Sequence, residues 1–318
     1  ELEITKKKFI LKKISKKLEI PNLNSKMIDF IVWFSKYNLV PVGMVLKSVI
    51  SESLVTEKKF LKEYKEFKVL QTPSKIKLNK DQSLSLKKLR NFKNNFSVSV
   101  LEGVTGSGKT LVYFERVREI VNRGLQALIL LPEIALTNQF IYKFDDFFGN
   151  KPAVWHSKIT KKNKKIIWRG VVDNKIKIII GARSSLFLPF KKLGIIIVDE
   201  EHDSSYKQDE GIIYNARDMA ITRASIENIP IHLITSVPSV ETYHNIVSKK
   251  YNHTKLVSRF KNYSEPKFKI IDLKINKPEK NKWIAHQTIQ IVKDYLSNGD
   301  QILFFINRRG FSPLVICK

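Results

Sequence analysis

Short apolar runs rich in Ile, Leu and Val alternate with longer segments of helical periodicity between residues 76 and about 247. Such runs are typical of strands buried on both faces of a parallel sheet, and the segments between them predict covering helices. The predicted strands are Val98–Leu101, Ala127–Leu131, Ala153–His156, Ile176–Ile180, Ile195–Val198 and Ile231–Ile234. We therefore predict an α/β fold, a parallel sheet with helices on both faces, whose sites lie at the carboxyl ends of the strands.

The pattern changes on either side of this region and divides the chain into four parts. Residues 1–51 form a small first unit, and residues 52–75 are rich in Lys and Glu with little apolar periodicity, which predicts a linker. Residues 76–250 form the α/β lobe. Residues 251–318 begin with a basic connector and resemble the opening of another α/β unit.

Four elements are predicted outside the lobe. Helical periodicity covers Ser25–Tyr37 and Val40–Ile50 near the start. Near the end, Trp283–Ser297 predicts a helix closed by a glycine turn, and Gln301–Ile306 predicts a strand.

The segment Gly103–Thr110 reads GVTGSGKT and matches the P-loop pattern. It stands between a strand-like run, Phe96–Leu101, and a helix predicted over Thr110–Arg123. Its eight residues are Gly103, Val104, Thr105, Gly106, Ser107, Gly108, Lys109 and Thr110. The glycines allow a tight turn that aims backbone N–H groups at phosphate oxygens, and the helix N-terminus favours the same anion. Lys109 is predicted to reach the β- and γ-phosphates of ATP, and the Thr110 hydroxyl to ligate Mg²⁺.

A second motif follows the predicted strand Ile195–Val198, where the chain reads DEEH from Asp199 to His202. In P-loop ATPases an acid at such a strand end holds Mg²⁺ opposite the loop's hydroxyl. A second carboxylate beside it can orient or deprotonate the attacking water. We therefore predict Asp199 as the metal-water ligand and Glu200 as the catalytic base of a P-loop (RecA-like) ATPase.

The chain of 318 residues carries a formal charge of +27, which favours a polyanionic partner. This inference is discounted because 46 of the 57 basic residues are lysine, a bias that an AT-rich genome would also produce. The single cysteine, Cys317, excludes a disulfide framework and fits a reducing cytoplasm. No apolar run approaches the length that a membrane-spanning helix needs, so no membrane partner is expected.

Three further segments are typical of a helicase motor. Gln82 stands a short distance before the P-loop, where a glutamine can hydrogen-bond adenine. Thr137 closes PEIALT, and Arg183 and Ser184 lie in GARSS, each after a predicted strand. Small hydroxyls and backbone amides at strand ends commonly hold the phosphates of a single strand, although ordinary helix capping by Thr137 and Ser184 is an open alternative.

Four strings resemble the PriA family of bacterial replication-restart helicases, which belong to superfamily 2. They are GARSSLFLPF (181–190), DEEHDSSYKQDE (199–210), YNARD (214–218) and FINRRGFSPLVIC (305–317). The resemblance covers nearly the whole chain. It implies an ATP-dependent 3′-to-5′ DNA helicase that remodels stalled forks and starts primosome assembly. It also implies forked or branched DNA with a single-stranded 3′ end, single-strand-binding protein and primosome proteins as partners.

The resemblance also implies residue roles. Gln82 would read adenine, the P-loop would bind ATP, and Thr110 and Asp199 would manage Mg²⁺. His202 would sense the γ-phosphate and pass that state to the DNA side. DNA would be contacted by Thr137, Arg183, Ser184, Tyr214 and Arg217. Residues 1–51 would be the C-terminal part of a 3′-end DNA-binding domain, residues 76–250 helicase lobe 1, and residues 251–318 a connector and the start of lobe 2.

Some positions depart from the family pattern. The third motif reads Thr235-Ser236-Val237-Pro238 instead of Ser-Ala-Thr-Pro, so Val237 lacks a coupling hydroxyl. Ile212 replaces a tryptophan, which removes a base-stacking surface worth roughly 1–3 kcal/mol. The linker leaves no room for the winged-helix domain usual in the family.

Cys317 matches the first zinc ligand of the family, but a structural zinc site needs four ligands. The chain lacks an initiator methionine and stops one residue later. We therefore expect Zn²⁺ only in a longer protein, and a fragment that lacks the start of the DNA-binding domain and most of lobe 2. Such a fragment is expected to have little activity alone. Two alternatives remain: a nucleotide-switched DNA-binding fragment without turnover, and a P-loop ATPase of another class.

Overall fold

The structure is a computed structural model of the chain, and it describes residues 22–50, 77–91, 95–135, 137–256, 267–280, 282 and 284–305. The chain divides into two compact units, Glu1–Asn262 and Tyr263–Lys318. The predicted linker and Cys317 lie outside the described residues. Within the described part of the chain, no helix is both long enough and apolar enough to span a bilayer.

The first unit alternates helices and strands along most of its length. Its helices are α1 (Ser25–Tyr37), α2 (Val42–Val49), α3 (Lys80–Asn91), α4 (Lys109–Asn122), α5 (Asn138–Phe148), α6 (Lys161–Val172), α7 (Ala216–Glu227) and α8 (Val240–Val247). Its strands are β1 (Ser97–Gly103), β2 (Gln126–Leu130), β3 (Ala153–Trp155), β4 (Ile178–Gly181), β5 (Leu193–Asp199), β6 (Lys207–Gln208), β7 (Tyr214–Asn215), β8 (Pro230–Thr235) and β9 (Asn252–Leu256). Short 3₁₀ turns occupy Glu133–Ala135, Arg183–Phe187 and Ser204–Tyr206.

Seven strands form one parallel sheet in the order β3-β4-β2-β5-β8-β1-β9, and β6 and β7 form a separate antiparallel hairpin. Each of the six predicted strands is present within two residues of its predicted bounds. The predicted fold class is confirmed.

Both faces of the sheet are buried because successive side chains of a strand point to opposite sides. Along β2, Leu128 and Leu130 belong to one apolar cluster and Ile129 belongs to the other. The first cluster contains apolar residues of α1, α2, α6 and α7, and the second contains those of α3, α4 and α5. Continuous apolar runs are therefore required, and this is the pattern that made the strands recognisable in the sequence.

The N-terminal helices pack directly on this lobe. The Phe34 ring of α1 makes edge-on contacts with Phe187 and Tyr214, at centroid distances of 5.1 and 5.3 Å. The Trp168 indole N–H donates to the Val49 carbonyl at the end of α2 (2.9 Å), so the second helix is held as well. The described part of residues 1–51 therefore shares a core with the α/β lobe.

Some elements differ from prediction, including the short β6–β7 hairpin, which was not predicted. Strand β9 was not predicted, because its sequence NHTKL is polar; it forms the sheet edge beside β1 and exposes alternate side chains to solvent. The predicted strand Gln301–Ile306 is wrong over its described part, since residues 301–305 are not a strand and Leu303 is 90% exposed. A strand needs a neighbour for its backbone groups, and none pairs with these residues in the described part of the second unit.

The described residues of the second unit contain one α-helix, α9 (His286–Ser297). It begins three residues after the predicted start at Trp283, because Ala285 occupies the N-cap position with extended backbone.

Candidate nucleotide site and nucleic-acid face

Three neighbouring strands of the sheet, β1, β8 and β5, end at the candidate nucleotide site. Their last residues are Gly103, Thr235 and Asp199. Because neighbouring strands lie about 4.8 Å apart, the P-loop and Asp199 start from strands roughly 10 Å apart, with Thr235 between them. The two predicted motifs, separated in sequence, therefore share one edge of the sheet.

The P-loop has the backbone that the glycines predict. Gly106 and Gly108 have φ angles of 81° and 85°, the left-handed region that favours glycine. The Ser107 N–H donates to the Val104 carbonyl (3.0 Å), which closes the turn before α4 begins at Lys109. No acidic side chain lies in the first turn of α4, so its N-terminus keeps the partial positive charge that attracts anions.

Lys109 is nearly buried at the start of α4. Its Nζ donates to the carbonyl of Gly103, the last residue of β1, at 2.6 Å. The ammonium thus lies against the underside of the phosphate loop, with the Thr110 side chain half-buried beside it. A lysine held in this way has one of its three donors engaged, and two remain for phosphate oxygens.

Asp199 is buried at the end of β5 and is held by two donors. The Tyr113 hydroxyl of α4 donates to one carboxylate oxygen (2.8 Å) and the Glu200 backbone N–H to the other (3.0 Å). Burial raises the pKa of Asp199 to about 6, against opposing effects of the Tyr113 hydrogen bond and Lys109. Tyr113 was not predicted from the sequence; its only signal is a tyrosine one helical turn after Lys109 on the buried face of α4.

Glu200 lies in a strained turn and remains accessible. Its φ of 48° is unusual for a residue with a side chain, and its carboxylate is 40% exposed. The His202 Nδ1 lies 3.8 Å from a Glu200 carboxylate oxygen. The turn therefore brings an exposed carboxylate and an imidazole together beside the buried Asp199.

His202 is connected to the third motif. Its Nδ1 lies 2.8 Å from the Thr235 hydroxyl, which itself donates to the Val237 carbonyl at 2.8 Å. Because that hydroxyl has only one proton, it accepts from His202, so Nδ1 carries hydrogen and Nε2 is the nitrogen available to a ligand. The Val237 side chain is 67% exposed, so the departure from threonine changes the surface and not the core.

Glu201 is the buried centre of a polar cluster that the sequence analysis did not single out. Its carboxylate accepts from the Ser239 N–H (2.8 Å), the Thr242 hydroxyl (2.9 Å) and the Arg217 guanidinium (3.2 Å). Its own N–H donates to the Ile234 carbonyl of β8 (3.0 Å). Glu201 therefore ties the DEEH turn to the start of α8 and to α7.

Gln82 lies fully buried against the P-loop. Its amide nitrogen donates to the Ser107 carbonyl (3.0 Å) and its oxygen accepts from the Asn79 N–H (3.0 Å). A Cβ added at Gly108 would stand 2.2 Å from the Gln82 nitrogen. The structure thus places Gln82 at the nucleotide loop, in contact with its backbone.

Three residues predicted to contact DNA lie at the surface. Thr137 and Ser184 are exposed, and Thr137 caps α5 by accepting from the Phe140 N–H (3.3 Å). Arg183 is half-buried and donates to the Lys207 carbonyl of the β6–β7 hairpin (2.6 Å). All three follow β2 or β4 at the same sheet edge as the P-loop.

Tyr214 and Arg217 were also predicted to contact DNA, but their side chains are buried. Tyr214 is 7% exposed and packs against Phe34 and Phe187, and burial raises its pKa to about 12. The Arg217 side chain is 9% exposed and pairs with Glu201, and with Asp218 at 2.8 Å. Both side chains therefore make their contacts inside the protein, Tyr214 with aromatic rings and Arg217 with carboxylates.

The described residues fit ATP and Mg²⁺ in their donor chemistry. Among the described residues the Ser107 hydroxyl is buried in the loop with no hydrogen-bond partner, and Asp199 places one buried carboxylate at the end of β5. Mg²⁺ is usually held by one or two carboxylates together with substrate phosphates, so a dedicated cage is not required. Within the part of the chain that the structure describes, no three His, Cys, Asp or Glu residues form a metal cluster.

The family model described as type III restriction enzyme, res subunit (ResIII), matches residues 75–237, just over half of the chain. The chain belongs to this family. The ResIII match spans the P-loop, the DEEH turn and the third motif up to Val237, which are the segments assembled at the sheet edge. The sequence analysis also predicted a similarity to replication restart proteins, and two curated relatives confirm it.

The chain is 42% identical to replication restart protein PriA of Rickettsia conorii over 93% of its residues, and 39% identical to that of Haemophilus influenzae over 78%. It spans 45% and 34% of these relatives, which is less than half of either. Among solved structures, the DUF1998 helicase MrfA is 18% identical with a TM-score of 0.45, covering 73% of this chain and 36% of that one.

Proposed function

We propose that this ResIII-family chain contains the ATP-binding lobe of a DNA helicase that acts in replication restart. The observation that carries the proposal is the convergence of the P-loop, Asp199 and Glu200 at the same edge of the sheet, at the ends of β1 and β5, which flank β8. The names of the curated relatives supply the process, and the exposed Thr137 and Ser184 with the formal charge of +27 support a polyanionic substrate.

In the proposed site the loop amides and Lys109 hold the triphosphate, and Thr110 and Asp199 hold Mg²⁺, which would screen the phosphate charge. Glu200 has the exposure required of a base that takes a proton from water, while Asp199 is buried and hydrogen-bonded. The two neighbouring carboxylates therefore have different roles because their environments differ.

His202 and Thr235 are proposed to relay the nucleotide state. A displacement of Glu200 or His202 would be transmitted through Thr235 to the Val237 backbone and on to the chain before α8. We propose 3′-to-5′ translocation on forked DNA, with single-strand-binding protein and primosome proteins as partners. Residues 1–51 would be part of a DNA-binding domain, and residues 251–318 would be the start of lobe 2.

Two variants of the full chain test the site. Lys109→Ala should weaken binding of a fluorescent ATP analogue by about 10- to 100-fold, since a hydrogen bond to a charged group contributes about 1.5–3 kcal/mol. Glu200→Gln should bind the analogue like the unmodified chain and lose any hydrolysis. Lys36→Ala, an exposed lysine on α1, is the charge-matched control.

ATP hydrolysis, measured with and without forked DNA, decides whether the chain is a complete ATPase or a nucleotide-switched DNA-binding chain without turnover. We expect nucleotide binding without DNA-stimulated turnover, which is the behaviour of a nucleotide-switched DNA-binding chain. Strong turnover would mean that the described site is complete by itself. Undiminished nucleotide binding in Lys109→Ala would refute the assignment of the loop.

A further inference from the structure

Polar side chains interrupt the apolar layer on one face of the sheet. On the face that α3 and α4 cover, the strands β4 and β5 present isoleucines. In their first three residues, β1 and β8 instead present Ser97, Ser99 and His232 to this face. Their sequence neighbours on both strands belong to the opposite apolar cluster, so these three side chains point toward the helices.

Arg116 of α4 lies against these three side chains, and the four residues together form what we call the polar patch. Arg116 is 1% exposed and lies one turn after Tyr113, which contacts Asp199 at the end of β5. His232 pairs in register with the residue two positions before Asp199. Arg116 and His232 therefore lie at similar depth, roughly 5–7 Å from that contact toward the amino-terminal edge of the sheet.

The polar patch contains most of the unsatisfied buried polar atoms that the structure describes. Ten side-chain nitrogen and oxygen atoms of the described residues are buried without a hydrogen-bond partner, and six of them belong to the patch. They are the hydroxyl oxygens of Ser97 and Ser99, both ring nitrogens of His232, and Nε and Nη2 of Arg116. Buried polar groups are usually satisfied, so six exceptions at one place indicate a site for water or an ion.

Donors predominate among these six atoms. The two Arg116 nitrogens can only donate, and each hydroxyl brings one proton. Burial, followed by the Arg116 charge, lowers the pKa of His232 to about 3, so the imidazole is neutral at pH 7 and brings one N–H. Strand register places Ser99 directly opposite His232, so their donors are neighbours.

Positive charge also exceeds negative charge at this place. The Glu119 carboxylate accepts from Arg116 Nη1 at 3.0 Å and from Arg90 Nε at 2.7 Å. Two guanidinium groups thus share one carboxylate, and their two positive charges exceed its single negative charge by one. An anion suits this set better than neutral water, because it accepts several hydrogen bonds and compensates the buried charge.

The polar patch is separate from the nucleotide site. Ser99 stands four residues before Gly103, the last residue of β1, which corresponds to about 13 Å along the strand. Ser97 is the first residue of β1 and is half-buried, so the patch lies close to solvent at the edge of the sheet opposite the P-loop.

We propose that the polar patch binds a small monovalent anion, with chloride as the ligand. Arg116 would supply the charge and two N–H donors, and the serine hydroxyls and the neutral imidazole would complete the shell. The excess of one positive charge matches a halide better than a phosphate. A bound ion would hold α4 against β1 and β8, which lead into the P-loop and the third motif. This inference does not depend on the proposed function.

Urea unfolding of the full chain tests the site when sodium gluconate is replaced stepwise by sodium chloride at constant ionic strength. Constant ionic strength keeps the general screening of the chain's +27 charge unchanged. A ligand that binds only the folded state divides the unfolding constant by 1 + [L]/Kd, so chloride at about ten times its Kd should decrease it about tenfold. The decrease should follow a saturating curve.

Three variants locate the effect. Arg116→Met removes the charge and its donors while keeping an unbranched side chain, and it should abolish the chloride response. Arg118→Met is the matched control, because this arginine of the same helix pairs with Glu115 and has no unsatisfied buried nitrogen; it should respond like the unmodified chain. Ser99→Ala removes one hydroxyl with little change of shape, so it keeps the fold and should raise the Kd for chloride about tenfold.

Crystals of the full chain grown with bromide in place of chloride give a direct view. They should show an anomalous scattering peak within hydrogen-bond distance of Arg116 Nη2 and the Ser99 hydroxyl. A peak only at exposed lysines would be an adventitious ion and would overturn the site. Equal unfolding in both salts, or an undiminished response in Arg116→Met, would overturn it in favour of water or of direct bonds among the four side chains. The nucleotide and DNA proposals are tested separately, since neither ligand is present here.

Discussion

Replacement of Asp199 by asparagine should stabilise the free protein while removing the proposed Mg²⁺ ligand. The Asp199 carboxylate has its pKa raised from 3.8 to about 6 by burial, so the folded chain holds a proton that the unfolded chain has released. Between these pH values the folded state binds more protons, and its stability therefore falls as the pH rises. Asparagine has almost the same shape and no charge to bury.

The magnitude follows from the shift. At about 1.4 kcal/mol for each pKa unit, the ionised Asp199 destabilises the free protein by about 3 kcal/mol at pH 7.5. At pH 4.5, below the folded pKa and close to the unfolded one, the penalty is about 1 kcal/mol. The stability advantage of Asp199→Asn should therefore grow by about 2 kcal/mol from pH 4.5 to pH 7.5.

Urea unfolding without nucleotide or Mg²⁺, at both pH values, measures this difference. Asp146→Asn, which replaces an exposed carboxylate of α5, is the control and should change stability by less than about 0.5 kcal/mol at either pH. The prediction that the ionised Asp199 carboxylate destabilises the folded chain would be refuted by either of two results. One is an Asp199→Asn variant no more stable than the unmodified chain at pH 7.5, and the other is a stability difference that does not grow with pH. A site that retains a destabilising charge is expected where function depends on it.

Two other predictions concern the surroundings of the site. Glu201→Ala removes the buried carboxylate that pairs with Arg217 and accepts from Thr242 and the Ser239 N–H, and it should cost about 3–5 kcal/mol in urea unfolding. Glu241→Ala, which removes a 72% exposed carboxylate 3.8 Å from the same guanidinium, should cost less than about 1 kcal/mol, and equal losses would contradict the buried-pair explanation. Gly108→Ala and Gly106→Ala both force a side chain into a positive-φ position, at about 1–2 kcal/mol, but only the former meets a buried amide. Nucleotide binding should therefore fall further in Gly108→Ala, and identical affinities would show that the amide moves aside freely.

The strands and the P-loop were predictable because their requirements are local. A parallel strand covered on both faces needs a continuous apolar run, and a loop with positive φ angles needs glycine, so both features are visible in consecutive residues. The prediction failed where a strand does not meet these local requirements. Strand β9 lies at the sheet edge and buries only Thr254 and Leu256, so its sequence is polar. Residues 302–305 are apolar but form no strand, because no neighbouring strand pairs with them in the described part of the second unit.

The partners of buried polar groups could not be predicted in this way. Arg217 follows an exposed-looking loop in the sequence, and only packing places Glu201, 16 residues away, against it. Tyr214 is enclosed by Phe34, which lies far earlier in the chain, on the first helix. The predicted surface roles of both residues remain predictions, but their side chains are directed into the protein.

The sequence by itself determined the α/β class, the order of most strands along the chain, and the two motifs that meet at the sheet edge. Only the tertiary structure decided that Tyr113 holds Asp199, that Glu201 joins the DEEH turn to α8, and that Arg116 lies against His232 beneath α4. The physical reason is how far apart in the sequence the residues that determine each feature lie. Backbone conformation and apolar periodicity are encoded in neighbouring residues, whereas hydrogen-bond partners, pKa shifts and pockets depend on which distant segments the fold brings within a few ångströms.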